Sequence, residues 1–292
     1  MKRLHPVPCF IYFAGILVLS MTIFQPVFLA SAVLLLFAVH ASLDGGRALK
    51  RYLGMFLFII LFMVVLNPLI SHRGATILFY LFDNPVTMES IVYGVTNALS
   101  LFLVMSAFVL LNLLLDSDRL MFLFSRFAPK TTFAILLSLR YVPLLRRRIG
   151  QLSGVQKYQL EVPEGARLSD RIRNKMDLLN TLISWSLEDS IYTAQSMRAR
   201  GYGVKKKRSF YFNYTFTLRD FWVSALLCLL IFGLAAAWHM GLFSYRIYPR
   251  LAPLSFDANT MIAYICYLLF MAFPILIKAG EAIRWQFSKP KI

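Results

Sequence analysis

Apolar runs close to the length of a membrane-crossing helix alternate with short polar segments along most of the chain. They cover roughly residues 9–22, 26–42, 52–71, 88–114, 219–241 and 260–280. A helix needs about 20 mostly apolar residues to cross the hydrocarbon of a bilayer, so each run predicts one transmembrane helix. Gln25-Pro26 is the only break between the first two runs, and one broken helix or a re-entrant hairpin is the alternative there.

The segment between the fourth and fifth runs has a different pattern. Helical periodicity occurs in three stretches, at about 117–127, at 132–159 with Pro143 inside, and at 175–200. The third stretch is amphipathic, and its apolar face carries Leu179, Ile183, Leu187, Ile191, Ala194 and Met197. We therefore expect an all-α polytopic membrane protein with about six transmembrane helices. Residues 1–115 and 219–292 would be membrane regions, and residues 116–218 an insert of long amphipathic helices.

Composition and charge support this class and indicate the orientation. Apolar residues make up 59% of the chain and charged residues 15%, and the mean hydropathy is +0.64, which excludes an ordinary soluble domain. The net charge of +17 would suit a nucleic-acid-binding protein. However, the basic residues are sorted: one side of the predicted spans has only Arg73, Arg246 and Arg250, and nearly all other Lys and Arg residues lie on the other side. The positive-inside rule places the other side, with both termini and the insert, in the cytoplasm. We expect a multi-pass protein of the inner or plasma membrane, with lipid rather than nucleic acid around it.

The second helix of the insert carries two features of its own. Arg146-Arg147-Arg148 follows its apolar half, and we expect these arginines to bind lipid phosphate groups. Gly150 and Gly154 have the spacing of helices that cross closely, and each glycine costs ~1 kcal/mol relative to alanine inside a helix. We therefore expect the third helix to cross the second at Gly150 and Gly154.

The third helix ends in Arg198-Ala199-Arg200-Gly201-Tyr202. Cations in a last turn and a glycine just after it are ordinary stop signals, because they satisfy the helix dipole and the last carbonyl groups. An arginine there can also bind a carboxylate of another protein through its planar fork of donors. Taken alone, the helix favours the role of Arg198 and Arg200 as helix-stop residues. The position of the helix in a long basic insert between membrane spans favours binding of a soluble partner.

The sequence contains no recognisable catalytic or cofactor motif. The three cysteines and four histidines are isolated, which indicates neither a metal site nor a disulfide framework, and no GxxxxGK[ST] segment is present to bind ATP. The alternative function is a polytopic enzyme acting on anionic lipid at the cytoplasmic interface. Such an enzyme should show a cluster of carboxylates or histidines near the inner interface, and Asp116 and Asp118 are the only close pair at that place. A conventional ABC permease would carry an EAA-type coupling loop, which we do not find.

Several motifs occur in an order that is typical of one family. They are Thr87-Met88-Glu89-Ser90, Tyr93-Gly94, Asp116-Ser117-Asp118-Arg119-Leu120, Leu139-Arg140-Tyr141-Val142-Pro143-Leu144-Leu145 and Ala199-Arg200-Gly201. With these motifs the chain resembles the transmembrane T component of energy-coupling factor (ECF) transporters, the group that includes the cobalt transport subunit CbiQ.

The resemblance implies a coupling subunit of an ABC importer without enzymatic activity of its own. Two ABC ATPase subunits, of the A and A′ types, would bind ATP and receive the ends of two coupling helices. A separate membrane S component would capture a vitamin or a transition-metal ion.

The resemblance also implies which residues meet the ATPases. Family members usually carry two Ala-Arg-Gly motifs, and this chain keeps the one at Ala199-Arg200-Gly201, with Arg198 beside it. By spacing the other falls at Tyr158-Gln159-Leu160, after Gln156, where glutamine replaces the arginine and leucine the glycine. The contact at one ATPase should therefore be weaker.

Overall fold

The computed structural model describes residues 5–71, 73–81, 84–159, 168–204, 214–252 and 257–287, with the backbone alone at some positions, including 156–159 and 282–287. The helices are α1 (Pro6–Thr22), α2 (Pro26–Asp44), α3 (Arg47–Ile70), α4 (Met88–Leu114), α5 (Ser117–Ser125), α6 (Pro129–Gln159), α7 (Leu168–Ala199), α8 (Leu218–His239) and α9 (Ala258–Phe287). Two short strands, β1 (Ile77–Leu81) and β2 (Asn84–Thr87), lie between α3 and α4. The prediction of an all-α polytopic membrane protein is confirmed.

Five helices in the described part of the chain are long and apolar enough to cross a membrane. They are α2, α3, α4, α8 and the segment Ala258–Glu281 of α9. The first predicted span corresponds to α1, a shorter apolar helix of 17 residues. Gln25 is extended and Pro26 begins α2, because a residue before proline avoids the helical region. The break at Gln25-Pro26 therefore separates two helices.

The chain divides into two compact units. Met1–Leu120 and Tyr214–Ile292 form the first, which we call the membrane unit because it contains all five candidate spans. Met121–Asn213 form the second, which contains α6 and α7 and which we call the hairpin unit.

The core of the membrane unit is built from aromatic and branched side chains of α1, α2, α4, α8 and α9. Tyr12, Phe28, Tyr267 and Phe270 are its largest fully buried side chains. The Tyr12 hydroxyl donates to the carbonyl of Met271 on α9 at 2.9 Å, so its one polar group is satisfied inside the core. These contacts hold α1 against α9 although the two helices lie at opposite ends of the sequence.

The strands β1 and β2 form an antiparallel hairpin that the sequence pattern did not predict. Asp83-Asn84-Pro85 indicates a turn, and the five apolar residues of β1 lack the alternation of a half-buried strand. In the structure Phe79 and Tyr80 are both exposed although they point to opposite faces of the strand. The hairpin is a local addition to a helical fold.

Candidate functional site

The end of α7 has the geometry of a Schellman C-cap centred on Gly201. The Tyr202 N–H donates to the carbonyl of Met197 and the Gly201 N–H to that of Arg198, both at 2.9 Å. Gly201 has a φ of +83°, the left-handed conformation that a side chain disfavours. Glycine is therefore required at this position by the backbone itself. The turn stops the helix so that Arg198, Ala199 and Arg200 all remain exposed.

Three contacts fix α7 against α6 as an antiparallel pair. The Tyr202 and Phe133 rings stack with centroids 5.1 Å apart, and the Tyr141 and Thr193 hydroxyl oxygens are 3.0 Å apart. Arg148 forms an ion pair with Asp189, Nη2 to Oδ2 at 2.5 Å. As the position on α6 rises from 133 to 148, its partner on α7 or in the turn directly after α7 falls from 202 to 189. The first contact lies directly beside the Ala199-Arg200-Gly201 turn.

The ion pair changes the interpretation of the arginine triplet at 146–148. Arg148 is held by a carboxylate of its own unit, so this arginine is not simply a lipid-binding charge as predicted. Because both side chains are partly exposed, the pair contributes orientation more than stability. It fixes the register of α6 on α7.

The apolar stripe of α7 lies on a side that α6 does not cover. Leu179, Ile183, Leu187 and Ile191 are all exposed, and Leu187 keeps 62% of its surface. Leu182, Asp189 and Thr193 instead cluster on a face about 120° away at 3.6 residues per turn. The described part of the chain thus leaves this apolar stripe open.

Gly150 and Gly154 do not lie in a helix crossing in this structure. A Cβ built at either position meets no heavy atom within 4 Å in the described chain. At 3.6 residues per turn both glycines lie roughly 110–150° from the side of α6 that carries Phe133, Tyr141 and Arg148. The predicted close approach of α7 is therefore corrected to an antiparallel contact on another face, and both glycines are left open.

The residues predicted at the end of α6 are only partly described. The backbone of Gln156 and Gln159 is helical, and α6 ends at Gln159. Their side chains, and the whole of Leu160, lie outside the described residues. In the described part of the chain, no three His, Cys, Asp or Glu residues lie close enough together to hold a metal ion.

The Thr87-Met88-Glu89-Ser90 motif forms an anchor at the start of α4. The Thr87 hydroxyl accepts from the Ser90 N–H and donates to the Arg73 carbonyl at 3.1 Å. Glu89 is 1% exposed, and its carboxylate accepts the Thr76 N–H at 3.2 and 3.3 Å. The motif therefore ties the segment before β1 to α4. The sequence alone indicated only a helix start here, because the partners lie in a loop without pattern.

The fold and the site together define a polytopic membrane protein with an exposed, basic helix end on a helical hairpin. The CbiQ family model, described as cobalt transport protein, matches residues 3–211. The chain belongs to this family, which confirms the resemblance drawn from its motifs. No match was found among curated proteins. The chain is thus a membrane protein related to cobalt transport, and its family is a transporter component rather than an enzyme family.

Proposed function

We propose that the chain is the transmembrane coupling subunit of an ECF-type importer. Its family indicates a function in cobalt transport, and the exposed basic end of α7 is the observation that supports the specific role of a coupling subunit. In this role Arg200 docks on an ATPase subunit, with Ala199 and Gly201 shaping the turn and Arg198 beside it. The helices α6 and α7 then pass the motion of the ATPase toward the membrane.

Two ABC ATPase subunits, of the A and A′ types, are the proposed soluble partners. The chain has no P-loop, so ATP would be bound and hydrolysed on those subunits. One subunit would receive the end of α7 and the other the end of α6, with Gln156 and Gln159. An arginine can neutralise a carboxylate and glutamine cannot, so the two contacts are unequal in this proposal.

A separate membrane S component is the proposed cargo-binding partner. The cargo is a vitamin or a transition-metal ion, and the description of the family favours the metal. The exposed stripe of α7 supports a partner or bilayer surface, because apolar residues repeated on one helix face are the usual signature of such docking. The glycines at 150 and 154 would allow close approach by another helix in the complex.

The proposed orientation has both termini and the hairpin unit in the cytoplasm. Cysteine labelling tests it in a chain whose native cysteines are replaced by serine. A membrane-impermeant maleimide should label Ser244→Cys, in the α8–α9 connection, in intact cells. It should reach Ser190→Cys, which is exposed on α7, only after permeabilisation. The opposite result would invert the topology.

A pull-down in mild detergent tests the coupling role. The tagged chain is expressed with the ATPase subunits, and the captured proteins are identified by mass spectrometry. Arg200→Ala should weaken ATPase binding by about 2–5 kcal/mol, the usual cost of truncating one partner of a buried charge pair at an interface. The matched control is Arg173→Ala, which removes an exposed charge about 40 Å away along α7 and should bind normally.

Three results would contradict the proposal. Capture of no ATPase by the wild-type chain would remove the coupling role, and equal loss for Arg173→Ala would show an unspecific charge effect. Turnover of an anionic lipid by the isolated protein would favour the enzyme alternative.

A further inference from the structure

The polypeptide leaves the membrane unit after Leu120 and returns to it at Tyr214. The residues at these two crossing points touch within that unit. The Arg119 guanidinium lies over the Tyr214 ring, with 5.9 Å from its central carbon to the ring centroid. This distance is within the range of a cation–π contact. The outgoing and returning segments are thus joined to each other.

The returning segment is also packed on the N-terminal end of α1. The His5 ring meets Phe216 and Tyr214 edge-on, with centroids 5.1 and 6.5 Å apart. The His5 Nδ1 accepts from the Val7 N–H at 3.3 Å, which makes this histidine the cap of α1. Burial lowers the pKa of the His5 imidazole, and the Asp220 carboxylate acts in the opposite direction. A neutral ring fits both its role as acceptor and its aromatic neighbours.

Asp220, in the first turn of α8, joins the group of contacts around His5. Its side chain is almost buried, at 4% exposure, and accepts the Thr217 hydroxyl at 2.6 Å and the Thr217 N–H at 3.1 Å. It also accepts the backbone N–H of His5 at 3.2 Å. A buried carboxylate binds its three hydrogen-bond donors firmly, because the loss of one donor would leave part of the buried negative charge without a partner. One side chain therefore ties α1 to α8.

We propose that Arg119, Tyr214, His5 and Asp220 form a clasp that makes the two chain crossings a transmitting element of the transporter. The inference rests on the proposed function, in which the ATPases move the hairpin unit. Energetic coupling travels through packed side chains and hydrogen-bond networks that move together. The clasp joins both crossings to the starts of α1 and α8, so displacement at either crossing reaches two helices of the membrane unit. These four are positioning residues and touch neither ATP nor cargo.

The experiment uses the complex with both ATPase subunits and the S component in proteoliposomes. ATP hydrolysis and uptake of radiolabelled Co²⁺ are measured together. Tyr214→Leu and, independently, Arg119→Gln should raise the number of ATP molecules consumed per ion by about threefold or more. This fold-change corresponds to the free energy of a partly buried cation–π contact. Tyr214→Phe keeps the ring and should stay near the wild-type ratio. Arg126→Gln, which removes an exposed charge just after α5, is the matched control and should also keep it.

The ratio of ATP to cargo separates coupling from folding. Loss of protein lowers hydrolysis and uptake in proportion and leaves the ratio unchanged. An unchanged ratio in both Tyr214→Leu and Arg119→Gln therefore overturns the clasp, even where total activity falls. A wild-type complex that retains no ATPase contradicts the proposed function and the clasp with it.

Discussion

The ring of Tyr202 stacks on the ring of Phe133 with an angle of 24° between their planes. Tyr202 is the second residue after Arg200, and Phe133 lies in the second turn of α6. The exposed end of α7 is therefore held in place from the side by a ring on the neighbouring helix. An arginine that must meet a partner carboxylate benefits from such support, because a pre-positioned helix end loses less entropy on binding.

Replacing Tyr202 should weaken ATPase binding without touching the arginine. Tyr202→Ala removes an aromatic pair that contributes about 0.5–1.5 kcal/mol, so we expect a loss of roughly two- to tenfold in affinity for the ATPase pair. Tyr202→Phe keeps the stacking and should bind normally. Titration of the detergent-solubilised chain with the ATPases measures both, with the exposed Tyr192→Ala as the control. Equal losses for the alanine and phenylalanine variants would assign the effect to the hydroxyl instead.

Two glycine-to-alanine substitutions should have opposite effects on stability. Gly201 has a left-handed φ of +83°, where a Cβ costs about 1–2 kcal/mol, so Gly201→Ala should lower the thermal midpoint in detergent. Gly154 lies inside α6 with open space around it, so Gly154→Ala should raise stability by up to about 1 kcal/mol. A rise for both variants would show that the end of α7 adopts another conformation in solution.

The helices could be predicted because their signal is local. The fourth span was predicted at 88–114, and α4 runs from Met88 to Leu114, since length and apolar content alone mark a membrane helix. The Gly201 stop is equally local, because the chemistry of a helix end is confined to a few neighbouring residues.

Contacts between distant segments could not be predicted from the pattern. The spacing of Gly150 and Gly154 indicates that a helix could approach closely, but not on which side α7 lies. Arg119 and Tyr214 are far apart in sequence, and nothing in either segment marks the other as its partner. The side that faces a neighbour depends on tertiary packing, which one sequence without its fold does not contain.

The end of α6 should matter less than the end of α7. In the proposed alignment Gln159 stands where an arginine is usual, and a neutral hydrogen bond contributes only about 0.5–1.5 kcal/mol. Gln159→Ala should therefore reduce ATPase binding much less than Arg200→Ala does. Gln159→Arg should strengthen it. The same titration measures all three, and equal losses for the two alanine variants would show that the α6 end is not a weakened copy of the α7 end.

Gly15 should tolerate no side chain. A Cβ at this position would clash with the Phe270 Cζ on α9 and lie 2.9 Å from the Ile231 Cδ1 on α8, so one of these side chains or α1 itself would have to shift. Overpacking of this kind typically costs about 1–3 kcal/mol. Gly15→Ala should lower the thermal midpoint in detergent. Gly54→Ala, in α3 with nothing within 4 Å of its Cβ, should not. Equal midpoints would place α1 farther from Phe270 than the structure does.

Glu89 should be needed to hold the segment before β1. Its buried carboxylate accepts the Thr76 N–H, and a hydrogen bond to a charged group contributes about 1.5–3 kcal/mol, so Glu89→Ala should destabilise the chain by roughly that amount. Glu89→Gln keeps one acceptor and should lose less. Gly74→Ala should resemble Glu89→Ala, because its Cβ would lie 2.6 Å from the Glu89 Oε2. Thermal unfolding in detergent measures these effects, with the exposed Glu188→Ala as the control.

Limited proteolysis should also find the 73–87 segment cut faster in Glu89→Ala than in Glu188→Ala, since the anchored loop is released. Unchanged cleavage would mean that β1 and β2 are held without this carboxylate.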